Sequence, residues 1–354
     1  MPRERTVSRK LSVPTYDDLG QNEKLKPIFP GGVEPTRENW EKVRKDLRAQ
    51  WDKVLGRPSF GNFDKAAEIV GTFEQPDYSG TIFRQPVAPD IRQLLVLMVP
   101  RKTPHSPRPG AVVPFYHPDL MCGYDLEKGE PRTERPLVQF GRHLVRQGYV
   151  VVCTEAFPYN TVPDPKSEKG FAWWQAGADK VLADNSNWTG MGRLIWDTSR
   201  AVDLLLEQPD IDRDRILAIG HSLGGKMAFY TGCLDERIKA IISSDFGIGW
   251  DFTNWDAPWY LGEQIHKPDF PVAHHQLLAL HAPRSFLVIA GQADRPASWQ
   301  YIQAAQEIYA LYGKKDAAGC FDHGTGHQPT EESIQLAYQW LAEQFDLPDQ
   351  PWTL

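Results

Sequence analysis

The run Ile216-Leu217-Ala218-Ile219-Gly220-His221-Ser222-Leu223-Gly224-Gly225-Lys226-Met227-Ala228 decides the fold. Ile216 to Ile219 is a short apolar run that reads as a buried strand. Gly-His-Ser-Leu-Gly follows at once, and a segment rich in Ala, Met and Leu then favours helix. This is G-x-S-x-G in the setting it needs: strand, sharp turn, helix. A Ser at the tip of such a turn is strained, so small residues must flank it, and Gly220 and Gly224 do. The helix that follows points free N–H groups to where negative charge develops in acyl transfer. A chance match in a loop would lack both flanks.

Around this run the chain alternates strands and helices. Ala111 to Tyr116, Tyr149 to Thr154, Arg215 to Ile219, Ile238 to Ser243, Ser285 to Ala290 and Ala317 to Phe321 read as strands. Leu137 to Gln147, Gly192 to Glu207, Trp299 to Tyr312 and Glu331 to Phe345 read as helices. Before them, Ile69 to Phe73, Thr81 to Phe83 and Leu94 to Val99 are strands separated by turn residues, an antiparallel entry to the sheet. The alternation predicts an α/β fold with a mostly parallel sheet covered on both faces, its active residues at the carboxyl ends of the strands.

The polar, Pro- and Gly-rich residues 1–35 are expected to form an extended arm. Thr36 then caps a helix on which Trp40, Val43, Leu47 and Trp51 recur at helical steps, and Gly56-Arg57-Pro58 ends it. Residues 36–345 are expected to be one domain, with 346–354 a tail. Two segments, 156–191 and 244–283, are longer than ordinary connections and read as lid-like excursions. Both are rich in tryptophan, and Trp188 and Trp250 are the first choices to line a substrate pocket.

Composition sets outer limits. The 354 residues are 41% hydrophobic and 24% charged, as in a soluble protein with a sizeable core. A net charge of -7 argues against nucleic acid and anionic membrane surfaces as partners. No apolar run reaches the roughly 18 residues of a membrane span. The chain shows no signal-peptide pattern, and its four separated cysteines look like free thiols, so a cytoplasmic setting is expected. A partner subunit could pack on the arm, making a homo-oligomer.

Ser222 needs a base, and His is the side chain whose unperturbed pKa lies near working pH. The segment Phe321-Asp322-His323-Gly324-Thr325-Gly326-His327-Gln328-Pro329 follows the last strand. His327 is favoured over His323. A metal pair at 323 and 327 would need a helix, and two glycines interrupt it. The orienting acid is expected to be Asp294, just past the strand ending at Ala290, with Asp245 its rival. Ser222, Asp294 and His327 then fall in the nucleophile, acid, base order. For the oxyanion, Leu223 would give one backbone N–H and Asp119 the other, because Pro118 has none. His117 would brace that loop.

With these residues in place the chain resembles the α/β-hydrolase superfamily, in particular bacterial acetyl-xylan-esterase-like and dienelactone-hydrolase-like carboxylesterases. The likeness is carried by Gly190-Met191-Gly192-Arg193-Leu194-Ile195-Trp196-Asp197, Ile211 to Ile216, Leu234 to Ala240 and Ala282-Pro283-Arg284. Position 222 is Ser, whereas dienelactone hydrolases proper carry Cys. The resemblance implies hydrolysis of a small-molecule carboxylic ester, of a carbohydrate or an aromatic compound, through an acyl-enzyme and without a cofactor or metal. A peptidase or amidase with the same triad, and an inactive binding module on this fold, are the competing readings.

Overall fold

The computed structural model describes residues 5–20, 25–165, 170–349, 352 and 354. In chain order the first elements are α1 (Thr6–Leu11), α2 (Arg37–Leu55), β1 (Glu68–Glu74), β2 (Tyr78–Ala88), β3 (Ile91–Pro100) and β4 (Arg108–Pro114). Next come α3 (Pro118–Cys122), the short β5 (Tyr124–Asp125) and β6 (Glu130–Pro131), α4 (Phe140–Arg146), β7 (Val150–Thr154), α5 (Phe171–Asp184) and α6 (Gly190–Leu206). Then follow β8 (Ile211–His221), α7 (Leu223–Leu234), β9 (Ala240–Ser244) and α8 (His274–His281). The last are β10 (Ser285–Ala290), α9 (Ser298–Leu311), β11 (Ala318–Asp322) and α10 (Glu331–Phe345).

Nine strands make one sheet in the order β1-β2-β3-β7-β4-β8-β9-β10-β11. The first three run antiparallel to their neighbours, and from β7 to β11 the pairing is parallel. This is the mostly parallel sheet that the strand–helix alternation predicts, with the antiparallel entry expected before it. Alternate residues of the central strands serve two cores. Ile216 and Ala218 pack with α6, α7 and α8, whereas Leu217 and Ile219 pack with α3, α4 and α10. Both faces are therefore buried, which is why these strands read as continuous apolar runs.

Thr36 caps α2 as expected, its hydroxyl accepting the Asn39 N–H at 3.2 Å. The residues before it depart from the extended arm predicted for 1–35. They form α1, because Leu11 is an apolar side chain that the α10 face can bury. The Val7 and Ser8 N–H groups donate to the Glu343 carboxylate at 3.0 and 2.8 Å. Tyr16 donates to Asp322 at 2.9 Å, and Lys26 offers its carbonyl to His275 at 2.7 Å. The described part of the arm thus packs on its own chain, along the β11 edge. The two long excursions contain α5 and α8, helices that periodicity did not single out. All four cysteines are free and buried. Among the described residues no helix is long and apolar enough to cross a membrane.

Candidate active site

β8 ends at His221 and α7 begins at Leu223, so Ser222 alone makes the turn between them. Its backbone lies at φ 55° and ψ −117°, a sparsely populated conformation for a residue with a side chain. Three contacts hold it there. The Ser222 N–H donates to the Ser244 carbonyl at 2.8 Å, and its own carbonyl accepts the Lys226 N–H at 3.0 Å. Gly220 and Gly224 touch so closely that a Cβ on Gly220 would lie 2.1 Å from the Gly224 carbonyl oxygen. The Ser222 hydroxyl does not cap α7, which leaves it directed to chemistry outside the helix.

Ser222 lines a cavity of about 440 Å³ together with His327 and Asp245. His327 arrives on the loop after β11, released by Gly326 at φ 116°. Its Nδ1 bonds to Asp245 Oδ2, so Nε2 is the nitrogen left for Ser222. Asp245 follows β9 directly, with φ 45°. Its second oxygen, Oδ1, accepts the N–H groups of Gly291, Gln292, Ala293 and Asp294 at 2.8–3.1 Å. Burial pushes the Asp245 carboxyl up, but the bonds from His327 and these N–H groups outweigh it and hold the pKa below its ordinary value.

The acid partner of His327 is therefore Asp245 and not Asp294. Asp294 lies midway along the loop between β10 and α9, fully buried. Its carboxylate accepts the N–H groups of Phe246, Gly247 and Ile248 and the Ser298 hydroxyl, all at 2.8–2.9 Å. Burial raises its pKa to about 6 against the pull of those donors. His323 lies apart from the pair, bonded through Nδ1 to Thr325 at 2.8 Å.

Asp119 is also displaced from its expected place. The chain coils into α3 immediately after His117, carrying Asp119 into a separate polar cavity of about 1090 Å³. There it sits 2.8 Å from His117 Nδ1 and 3.7 Å from Arg132. The residue of this loop that lines the Ser222 cavity is Tyr116. Its N–H has no acceptor among the described residues. Leu223 does line the cavity, and its N–H is a first-turn donor of α7.

The tryptophans divide differently from expectation. Trp174 and Trp259 line the cavity with Phe171, Phe246 and Tyr260. Trp250 instead packs on His274, ring centres 3.8 Å apart, and Trp188 packs on Phe60 and Trp196. Neither lines the Ser222 cavity; Trp188 borders a separate one with Leu55, Ile195 and Trp196. Two further residues went unmarked in the sequence. Lys226, one turn into α7, is buried in the cavity wall with Nζ about 4 Å from the Trp255 and Tyr260 ring centres and 3.3 Å from Asn254 Oδ1. Burial lowers its pKa well below the usual lysine value. His221 lies against His327, ring centres 4.6 Å apart and tilted by 44°, and bonds through Nδ1 to Ser244 Oγ at 3.1 Å; burial, then the neighbouring His327, depresses its pKa to about 3. A Lys one turn past the nucleophile was the available signal for the first. Among the described residues, no group of three His, Cys, Asp or Glu is placed to hold a metal ion.

The sheet order and the strand–turn–helix elbow at Ser222 are those of the α/β-hydrolase fold. The sequence profile of the prolyl oligopeptidase family matches residues 190–347, from α6 to the tail. YtaP of Bacillus subtilis (strain 168) is 27% identical over 233 residues, which cover 61% of this chain and 73% of that protein. Carbohydrate esterase MZ0003, from an unknown prokaryotic organism, is 24% identical over 38% of this chain and 36% of its own length. Among solved structures, a glucuronoyl esterase from Solibacter usitatus superposes with a TM-score of 0.67 at 17% identity, covering 92% of this chain and 98% of that one.

Proposed function

We propose that the protein is a serine esterase that hydrolyses carboxylic esters of carbohydrates, with Ser222, His327 and Asp245 as its triad. The observation that carries this reading is one cavity lined by both the Ser222 elbow and an imidazole already fixed by a buried carboxylate. Ser222 Oγ attacks the ester carbonyl as His327 Nε2 takes its proton. Asp245 holds the imidazole and stabilises its charged form. The N–H groups of Leu223 and Tyr116 bind the tetrahedral oxyanion. His327 returns the proton to the leaving alcohol, and water repeats the sequence on the acyl-enzyme, releasing the acid and restoring Ser222.

The cavity walls suit a ring bearing hydroxyl groups. Trp174 and Trp259 offer aromatic faces, while Lys226 offers N–H donors with no carboxylate in its aromatic cage. The similarity to carbohydrate esterases agrees with this chemistry. The prolyl oligopeptidase match keeps peptide cleavage in view, but Asp245 is the one carboxylate lining the cavity among the described residues, and it is committed to His327. Among the described residues none is left to bind a peptide amino terminus.

Ser222→Ala is expected to cut kcat on acetyl and uronate methyl esters of sugars by about 10⁴-fold or more, with the far-UV spectrum unchanged. Turnover retained by that variant would end the serine-esterase reading. Faster cleavage of aminoacyl anilides than of sugar esters by the intact protein would favour the peptidase.

A further inference from the structure

We infer that Asp294 is a positioning residue for Asp245, each of the two carboxylates holding the loop that carries the other. The inference rests on the assignment of Asp245 as the triad acid. Asp245 Oδ1 gathers the four N–H groups of residues 291–294, while the Asp294 carboxylate gathers those of residues 246–248. Ser298, in the first turn of α9, closes the set by donating to Asp294. Two anions so close repel, and an apolar filling would avoid that cost. What the carboxylate supplies is acceptors: three N–H groups of one tight turn point inward at one spot, and a neutral side chain cannot accept all of them.

That turn starts at Asp245, whose φ of 45° lies in the left-handed region that a residue with a side chain adopts only when held. Fixing the 246–248 N–H groups fixes where the Asp245 side chain leaves the backbone, and so where Oδ2 meets His327. The remaining ionisable groups that feel the Asp294 charge are Lys226 on α7 and Cys320 on β11, both buried. Neither bonds to it, so the clamp is a matter of the two aspartates and the backbone.

The test is Asp294→Asn in the full chain, with kcat and KM for p-nitrophenyl acetate measured across pH, beside Asp245→Asn. An asparagine oxygen replaces one acceptor oxygen and its amide cannot serve two donors, so the turn loosens. Expected for Asp294→Asn are a kcat about 10- to 100-fold lower, KM within about twofold, and an acid limb of kcat/KM displaced to lower pH as the imidazolium loses well-placed support. A lower melting temperature alone, with kcat and the limb as in the wild type, would overturn the inference. Should Asp294→Asn fail to fold, Ser298→Ala removes one donor and keeps both carboxylates. It is expected to lower kcat about threefold or more with the same displacement, and wild-type kinetics there would equally overturn it. Asp245→Asn separates the two levels: its failure to reduce kcat by about 10³-fold while Asp294→Asn abolishes turnover would overturn the triad assignment itself.

Discussion

A buried carboxylate past an apolar strand is a sound guess for a triad acid, and this chain has two. Asp245 follows β9 and Asp294 follows the next strand, β10. Nothing local in the sequence distinguishes them, because the choice depends on which carboxylate meets His327 and which does not. Ser222 and His327 were legible for the opposite reason. Small residues on both sides of Ser222, and glycines before His327, mark positions that only those local conformations require. The tryptophans were legible as a class but not one by one, since indole count says nothing of which wall a ring joins. A direct comparison follows. Trp174→Ala and Trp259→Ala, at the cavity, are expected to raise KM for sugar esters several-fold. Trp188→Ala and Trp250→Ala are expected to leave KM unchanged and lower stability by about 3 kcal/mol or more, measured by urea unfolding.

At the scale of elements, the sequence pattern placed nearly every strand of the sheet and both last helices, because burial on two faces imposes continuous apolar runs of fixed length. It missed α1, α3, α5 and α8. Three of these are short, and α5 and α8 lie in the tryptophan-rich excursions, where packing on other helices (α6 for α5; α2, α7 and α9 for α8) rather than amphipathic period holds the helix. The β8–α7 junction is the least forgiving part of the fold. Gly220 meets the Gly224 carbonyl, and Gly224 in turn would place a Cβ 2.1 Å from the Pro114 carbonyl oxygen on β4. Both obstacles are backbone, so neither can rotate aside. Gly220→Ala is expected to cost about 3 kcal/mol or more and to abolish labelling of Ser222 by a fluorophosphonate in whatever fraction stays folded. Normal labelling and stability would show the junction to be more pliant than its packing.

For the whole molecule, the buried ionisable groups set how stability responds to acid. His143 and His221 have pKa values depressed to about 3 by burial, and His274, His275 and His281 are likewise lowered by burial. Each stays neutral in the folded chain and takes up a proton on unfolding below about pH 6.5, so each removes stability as pH falls through that value. Asp294 and Glu155, raised by burial to about 6 and about 7, and Asp197, also raised by burial, act the other way, since the folded chain binds protons that the unfolded chain does not until near pH 4. The five histidines outnumber the three carboxyls. The melting temperature is expected to fall between pH 7 and pH 5, and a rise over that interval would contradict the neutral assignment of the histidines.

The bond between Ser8 and Glu343 has a bearing on how the protein is made. Ser8 finds its partner in a helix 335 positions further along the chain, so the contact cannot form until everything between them has been made. Until that helix emerges, the β11 edge and the neighbouring loop with His327 have no finished wall to rest on. Assembly of the reactive cleft is thereby deferred until synthesis of this stretch is complete.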